Sequence, residues 1–328
     1  MNNLFIVRSP LQLINSLEAI EHFKLTQNIL VLIYNNTTNT NTQMDNLISL
    51  YSWKRVIKVN EKQKRSKYFE YMRFVKELKK ESYNYLFFSN LGSIHKLLLA
   101  NIKRKRTIYL DDGVETITRY NTIFKPQKLN KFKLRQIRFL FGGLKIKIDE
   151  KIDLFTYFDL EPLKESKIIK NTLSNFQKKY LKESQKDENI YFIGQPLVKT
   201  NLLLEDDYFS YLEHILALYP QKIIYIPHRT EIVSERLKSY ISEKFEIRDI
   251  NMPVELYFLQ NGIYPNHIIS FMTTAFFTLQ KLYSKTALSY IYIPSHKILE
   301  RQKDVAGAYE FIEKLNIYKI DIEPIIKA

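Results

Sequence analysis

The sequence predicts a two-domain α/β protein with a parallel, Rossmann-like sheet in each domain. The first observation is length, because the chain has 328 residues and single hydrophobic cores stop growing at roughly 250. The second is a regular alternation of apolar, strand-like segments with helical segments, which is typical of parallel sheets covered by helices. The third is charged, polar sequence within 160–188, which divides the alternation into two runs. We therefore expect an N-terminal domain at 1–160 and a C-terminal domain at 161–328.

The first run starts with an apolar strand at 4–9. Ser9 is suited to cap the helix that follows and Pro10 to begin it, because the first helical turn leaves its N–H groups without helical partners. Further strands are predicted at 28–35, 55–59, 83–90 and 106–113, with helices at 44–52 and 66–81. Because these strands are continuously apolar, we expect both faces of the sheet to be buried.

The second run repeats this organisation. Strands are predicted at 189–197, 222–229, 245–250, 266–271 and 287–294, and helices at 205–219, 231–243, 254–261 and 273–284.

Composition narrows the class of protein. Apolar residues make up 45% of the chain, too many for an intrinsically disordered protein. Cysteine is absent, which excludes disulfides, thiolate metal sites and cysteine nucleophiles and fits a reducing compartment. The first residues lack the pattern of a signal peptide, and no segment reaches the ~20 apolar residues of a membrane span. We expect a soluble, cytoplasmic protein with at most a peripheral contact to the inner face of the cell membrane.

The formal net charge is +15, which favours anionic partners. Nucleic acid, an anionic membrane surface and phosphorylated small molecules all meet this condition.

Three predicted strands end in residues suited to chemistry, and ligands of parallel sheets bind at the carboxyl ends of strands. The first carries Asp111, Asp112 and Gly113. Adjacent carboxylates can supply a general base, since repulsion and partial burial raise a pKa towards neutrality. Gly113 permits a turn that strains other residues. A plain strand-to-helix turn capped by Asp112 is the alternative.

The second strand is followed by His228 and Arg229. The histidine can donate a proton or a hydrogen bond to a leaving phosphate, and the arginine can pair with the anion. A solvated loop histidine is the alternative. The third strand leads into Thr273 and Thr274 at the start of a helix, where hydroxyls and free N–H groups can cradle a phosphate. Ordinary N-capping is the alternative.

Several common motifs are missing. The sequence has no GxGxxG, Walker, HExxH or DxD motif, so it predicts no glycine-cradled dinucleotide and no metal-bound nucleotide diphosphate. We therefore expect no metal and no cofactor.

Taken in order, DDG at 111–113, PHR at 227–229 and the threonine pair at 273–274 resemble the motifs of bacterial GT-B sialyltransferases and polysialyltransferases. The most similar families are glycosyltransferase family 52 and the capsular polysialyltransferases. The opening FIVRSPLQLINSLEAI and FIGQPL at 192–197 are also similar, and the likeness covers most of the chain. Two departures are that Pro227 precedes His228 where the family has proline after histidine, and that two threonines stand at the Ser-Ser/Thr position.

The resemblance implies a GT-B fold, with two Rossmann-like domains whose parallel sheets face a central cleft. It also implies an inverting, metal-free transfer of a sialic acid or related nonulosonic acid from its CMP donor to a lipooligosaccharide or capsule glycan. Asp111 or Asp112 would be the base, with Asp111 favoured, and His228 would stabilise the leaving CMP phosphate. Donor-binding roles are implied for the remaining motif residues, which are Gly113, Gly194, Arg229, Glu255, Thr273 and Thr274. For Glu255, a ribose or cytosine contact competes with a simple helix-dipole role.

A basic stretch at 116–148 contains nine Lys or Arg and no acidic residue. Because it interleaves these with Phe, Leu and Ile, it is suited to an anionic membrane surface or to the anionic acceptor glycan. A solvated helix with one apolar face is the alternative.

Rival functions remain at this stage. A donor such as CMP-pseudaminic or CMP-legionaminic acid would leave the chemistry unchanged. A nucleic-acid-binding protein, or a membrane-binding protein without catalysis, would also fit the positive net charge. Because no nucleic-acid-binding motif occurs in the sequence, no nucleic-acid partner is expected. A catalytically silent assembly partner with the same fold is a further alternative. The oligomeric state stays open, with a homodimer as one alternative.

Overall fold

The computed structural model describes residues 1–34, 38–60, 67–113, 115–117, 120, 134–146, 151–162 and 166–322. The chain divides into two compact units, Met1–Phe176 and Gln177–Ala328. Each unit contains one parallel sheet with helices packed on it.

The first unit contains a seven-stranded sheet in the order β3-β2-β1-β4-β5-β6-β7. Its strands are β1 (Asn2–Val7), β2 (Asn28–Tyr34), β3 (Arg55–Asn60), β4 (Ser82–Phe88), β5 (Lys103–Leu110), β6 (Asp153–Thr156) and β7 (Ile168–Lys170). The helices described in or at the edge of this unit are α1 (Pro10–His22), α2 (Thr38–Ile48), α3 (Lys67–Leu78), α4 (Ser93–Asn101), α5 (Leu134–Phe141) and α6 (Ser174–Tyr180).

Local sequence explains how this sheet begins. Every residue of β2 is buried, as the continuous apolar pattern predicts for a two-sided sheet. Ser9 caps α1 by accepting a hydrogen bond from the Gln12 N–H at 3.3 Å, and Pro10 occupies the first helical position.

The second unit contains a six-stranded sheet in the order β10-β9-β8-β11-β12-β13. Its strands are β8 (Gln185–Ile193), β9 (Ile223–Ile226), β10 (Phe245–Ile247), β11 (Ile263–Ser270), β12 (Ala287–Ile291) and β13 (Tyr318–Ile320). Its other helices are α7 (Glu205–Leu218), α8 (Glu235–Lys238), α9 (Val254–Gln260), α10 (Ala275–Leu282) and α11 (Gln302–Glu313).

Both sheets reverse strand order beside their first strand. In the first unit β1 lies between β2 and β4, and in the second β8 lies between β9 and β11. Such a reversal opens a crevice at the carboxyl ends of the strands, where open α/β sheets bind ligands.

Two differences from the sequence-based expectations concern the division between the units and the helix at 231–243. The division between units falls at 176/177 rather than 160/161, because β7 at Ile168–Lys170 pairs with β6 and extends the first sheet. The helix expected at 231–243 is reduced to the single turn of α8, because residues 228–231 form a hydrogen-bonded loop and Ser234 caps a helix that starts only at Glu235.

Across the described ranges, no helix has both the length and the hydropathy that a membrane span requires.

Candidate active site

Asp111 lies directly after β5 and is completely buried. Its Oδ2 accepts a hydrogen bond from the Tyr157 N–H at 2.7 Å, and its backbone carbonyl accepts one from Asn15 Nδ2 at 2.9 Å. These two bonds connect the end of β5 to the end of β6 and to α1. Asp111 therefore holds three elements together at the carboxyl edge of the first sheet.

Burial raises the pKa of Asp111 to about 7, against the hydrogen bond from Tyr157, which favours the charged form. Its Oδ1 is also buried and makes no hydrogen bond to the described residues.

Asp112 differs from Asp111 because it is half-buried rather than enclosed. Its Oδ1 lies 3.5 Å from the Ser9 hydroxyl, and burial raises the pKa of its carboxyl group, although the positive charge of Arg8 opposes that shift. The Asp112 N–H donates to Thr116 Oγ1 at 2.7 Å. Asp112 thus combines a raised pKa with a half-buried position at the sheet edge.

Gly113 completes this turn with φ of +66°. Its carbonyl accepts a hydrogen bond from the Thr116 N–H at 2.9 Å. A left-handed conformation is one that residues with a Cβ rarely adopt, so Gly113 fixes the direction in which Asp112 leaves the strand.

In the second unit, His228 follows β9 in a closed loop. The His228 N–H donates to Glu231 Oε2 at 2.9 Å, and the Glu231 N–H donates to the His228 carbonyl at 2.7 Å. The Thr230 N–H also donates to His228 Nδ1 at 3.2 Å, and the Thr230 hydroxyl lies 2.8 Å from the same nitrogen. Because Nδ1 accepts, the proton of the neutral ring lies on Nε2.

Burial, with the positive charges of Arg229 and Lys199, lowers the pKa of His228 to about 4. The ring is therefore neutral near pH 7 and offers an Nε2–H hydrogen-bond donor rather than an imidazolium charge. Such a donor is suited to a phosphate whose charge is met by neighbouring cations.

Glu231 was not predicted from the sequence. Its Oε1 accepts hydrogen bonds from the hydroxyls of Tyr225 and Tyr208, the latter at 3.4 Å, and burial raises the pKa of its carboxyl group to about 7. The only signal for this role in the sequence was a glutamate three residues after the histidine. In a loop, unlike in a helix, that spacing does not predict that two residues are in contact. Glu231 positions the histidine loop.

Gly194 ends β8 beneath this loop, where its N–H donates to the Ile226 carbonyl at 2.8 Å. A Cβ at this position would lie 2.4 Å from Glu231 Oε2 and 2.5 Å from the Tyr225 hydroxyl oxygen. The structure thus gives Gly194 a packing role, since only glycine leaves room for the Glu231 carboxylate.

Thr273 and Thr274 lie after β11, next to the strand reversal. Thr274 occupies the N-cap position of α10 but its side chain makes no capping hydrogen bond, whereas Thr273 Oγ1 accepts from the Ala275 N–H at 3.2 Å. Ordinary capping therefore does not account for the Thr274 hydroxyl. Gln195 Oε1 accepts from the Met272 N–H at 2.8 Å and connects the ends of β8 and β11.

Glu255 lies in the first turn of α9 and is buried. Its Oε1 accepts a hydrogen bond from the Thr278 hydroxyl of α10 at 2.6 Å. Burial raises the pKa of Glu255, and the positive charge of Arg229 opposes that shift. The second unit therefore brings Arg229, Glu255 and α10 close together.

The predicted site residues fall into two groups, one in each unit. Asp111, Asp112 and Gly113 lie at the carboxyl edge of the first sheet. The remainder lie at the carboxyl edge of the second sheet or on the helices that follow it, and they are Gly194, His228, Arg229, Glu255, Thr273 and Thr274. Within the described residues, no group of three His, Asp or Glu side chains is arranged to hold a metal ion.

No protein-family model matches the chain, and no curated protein matches it. Solved structures do match. Staphylococcus aureus MnaA in a co-structure with UDP aligns with a TM-score of 0.56 and 12% identity, over 96% of this chain and 88% of that one. Arabidopsis thaliana UGT89C1 in complex with UDP-L-rhamnose aligns with a TM-score of 0.52 and 10% identity, over 98% and 84%.

The UDP-GlcNAc 2-epimerase of Methanocaldococcus jannaschii, in complex with UDP-GlcNAc and UDP, aligns with a TM-score of 0.50 and 13% identity, over 99% of this chain and 89% of that one. At such low identities these likenesses concern the fold alone. Together with the two parallel sheets, they show that the chain has a two-domain, Rossmann-like GT-B fold.

Proposed function

We propose that this chain is a glycosyltransferase that moves a sialic acid or related nonulosonic acid from its CMP donor to a cell-surface glycan, with inversion and without a metal ion. The observation that carries the proposal is the His228 loop, in which a neutral histidine presents Nε2–H beside Arg229 at a strand end. The solved structures of the same fold support a nucleotide-sugar substrate, since their ligands include UDP and UDP-L-rhamnose.

In this mechanism Asp112 accepts the proton of the acceptor hydroxyl. The acceptor oxygen forms a bond to the anomeric carbon, and the bond from that carbon to the CMP phosphate oxygen breaks. CMP leaves with the electron pair of that bond. The configuration at the anomeric carbon inverts because the acceptor oxygen attacks the face opposite CMP. We favour Asp112 over Asp111 because Asp112 is half-buried while Asp111 is enclosed, and a base has to reach the proton that it removes.

The second unit binds the leaving group. His228 Nε2–H donates a hydrogen bond to the phosphate, and Arg229 supplies positive charge. The hydroxyls of Thr273 and Thr274 donate further hydrogen bonds to the phosphate. Glu255 accepts from a ribose hydroxyl or the cytosine, which requires the carboxylate to leave its bond to Thr278.

The acceptor is a lipooligosaccharide or capsule glycan, and the enzyme contacts an anionic membrane through 116–148. Of that stretch, the structure describes 116–117, 120 and 134–146, so most of its basic residues lie outside the described part. An unchanged reaction with CMP-pseudaminic or CMP-legionaminic acid is the second candidate.

The test is release of CMP from CMP-sialic acid by the purified protein in the presence of EDTA, with a panel of glycan acceptors and with the CMP-pseudaminic and CMP-legionaminic donors in parallel. We expect turnover with at least one donor, unaffected by EDTA. Turnover that EDTA abolishes would contradict the metal-free step. Absence of turnover with every donor, together with no binding of CMP, would overturn the transferase proposal.

A further inference from the structure

A cavity of about 580 Å³ lies in the first unit at the amino end of β5. The last residues of α4, the first residues of β5 and the segment after α5 form its walls. Asp111 and Asp112 lie at the opposite end of the same strand, roughly 25 Å away at the usual rise per residue. This basal cavity is therefore separate from the site described above.

The lining of the basal cavity is cationic. Lys79, Lys103, Arg104 and Lys145 are among its ten lining residues, and none of the ten is acidic. The neighbouring stretch 116–148 also contains no acidic residue. An anion entering the cavity meets positive charge from three separate segments of the chain.

Arg104 is held in place at the cavity wall. Its Nε donates to Thr107 Oγ1 at 3.0 Å and its Nη1 to the Ile102 carbonyl at 2.5 Å, both neutral acceptors. Burial lowers the pKa of Arg104 to about 10, so the guanidinium group is still charged near pH 7. A fixed guanidinium group is suited to the tetrahedral oxygens of a phosphate.

Asn101 makes the opposite wall rigid. Its Nδ2 donates to the Lys145 carbonyl at 2.8 Å, and the Lys145 N–H donates back to Asn101 Oδ1 at 2.8 Å. These bonds fix the segment after α5 against the end of α4. The cavity is thus largely formed before any ligand arrives, which reduces the entropy lost on binding.

Part of the cavity lining is apolar, which suits a ligand with an apolar part. Leu99, Ile102, Leu140 and Ile146 line the cavity alongside the cations. Leu140 is 49% exposed and the adjacent Phe141 is 88% exposed. An exposed aromatic residue beside a basic cavity matches the boundary between lipid headgroups and acyl chains.

We infer that the basal cavity binds the phosphate group of an anionic phospholipid, with Phe141 in contact with the lipid surface. This inference rests on the membrane contact in the proposed function and names the residues that make it. Sugar transfer does not enter its test. Failure to bind vesicles would remove the membrane contact and leave sugar transfer standing, and failure of sugar transfer would leave the lipid site standing.

The experiment measures co-sedimentation with vesicles of phosphatidylcholine alone or mixed with phosphatidylglycerol. One variant combines Lys79→Ala, Lys103→Ala and Lys145→Ala. Its matched control combines Lys178→Ala, Lys182→Ala and Lys244→Ala, three exposed lysines of α6 and the second unit. We expect the cavity variant to bind phosphatidylglycerol vesicles roughly a hundredfold more weakly than wild type, and the control to bind nearly as well as wild type.

A second variant separates the cavity from its charge. Ala100→Trp fills the basal cavity and leaves the net charge unchanged. Because the phosphate group then has no room to enter, we expect weaker vesicle binding for this variant too. Circular dichroism checks that it folds. Equal losses in the two lysine variants would overturn the inference in favour of general electrostatic attraction. Wild type that binds glycerol 3-phosphate or inorganic phosphate but no vesicle would overturn the lipid assignment, as would no binding to either.

Discussion

Each unit contains a carboxyl group whose pKa is raised by burial to about 7, the enclosed Asp111 in the first and the half-buried Glu231 in the second. Both lie just beyond the end of a central strand, and each accepts a hydrogen bond from a backbone N–H. Each also stands beside the residue that we assign to chemistry, Asp112 in one unit and His228 in the other. In both units the acid holds the loop, and in the first unit the neighbouring residue is also the more accessible of the two.

The difference between them lies in their second oxygen. Glu231 Oε1 accepts from two tyrosine hydroxyls, whereas Asp111 Oδ1 makes no hydrogen bond within the described residues. The pKa of both groups is nevertheless about 7, because the Thr156 and Thr116 side chains also favour the charged form of Asp111. A raised pKa alone therefore does not identify a catalytic base, because exposure and hydrogen bonding decide what the group can reach.

The largest effect is expected from Asp112→Asn. Removing the general base lowers the rate of CMP release by roughly a thousandfold, whereas Asp111→Asn keeps the acceptor for the Tyr157 N–H and retains more activity. Steady-state kinetics of both variants with a single donor make the comparison. The opposite ranking, with Asp111→Asn inactive and Asp112→Asn active, would assign the base to the buried carboxylate.

His228→Ala is expected to lower CMP release by roughly a hundredfold, because it removes a hydrogen-bond donor to the leaving phosphate. The loss falls mainly on kcat, since charge builds up on that phosphate as its bond to the sugar breaks. His214→Ala, in α7, serves as the control. An unchanged kcat in His228→Ala would remove the histidine from the mechanism.

Asp111→Asn tests the enclosed carboxyl group of the first unit through stability. The pKa of Asp111 is raised in the folded state, so the folded protein binds the proton more tightly than the unfolded chain. The contribution of this group to the free energy of unfolding is thus greatest at low pH and is lost as the pH rises to about 7. The variant should gain roughly 2 kcal/mol relative to wild type between pH 5 and pH 8.

Denaturant unfolding at both pH values measures this gain, and Asp304→Asn, at an exposed position, should show none. A difference between Asp111→Asn and wild type that does not change with pH would mean that Asp111 is already ionised in the folded protein throughout this range.

The fold could be predicted from the sequence because its long central strands are continuously apolar. The strands at Asp153–Thr156, Ile168–Lys170 and Tyr318–Ile320 were missed, since three or four residues carry no readable period. The missed β6 decides the first unit's site, because its end supplies the Tyr157 N–H to Asp111. The sequence shows that Asp111 and Asp112 are adjacent, but which of the two is enclosed depends on the pairing of β5 with β6.

Glu231→Gln gives the smallest of these effects and tests the half-buried carboxyl group of the second unit. Glutamine has one oxygen to accept with where glutamate has two, so either the His228 N–H or the tyrosine hydroxyls lose a partner. We expect about a tenfold loss in kcat/KM. The second readout is the pH dependence of the ¹⁵N chemical shift of His228 Nδ1, which reports the tautomer set by Thr230 and can be measured without a sugar donor.

Because burial raises the pKa of Glu231 to about 7, the wild-type carboxyl group becomes protonated as the pH falls below that value and then resembles the amide. The difference in the Nδ1 shift between wild type and Glu231→Gln should therefore be large at pH 8 and small at pH 6. Glu235→Gln, on the exposed turn of α8, is the matched control. Identical shifts at both pH values would show that Glu231 does not position the histidine, and the parallel between Asp111 and Glu231 would then fail.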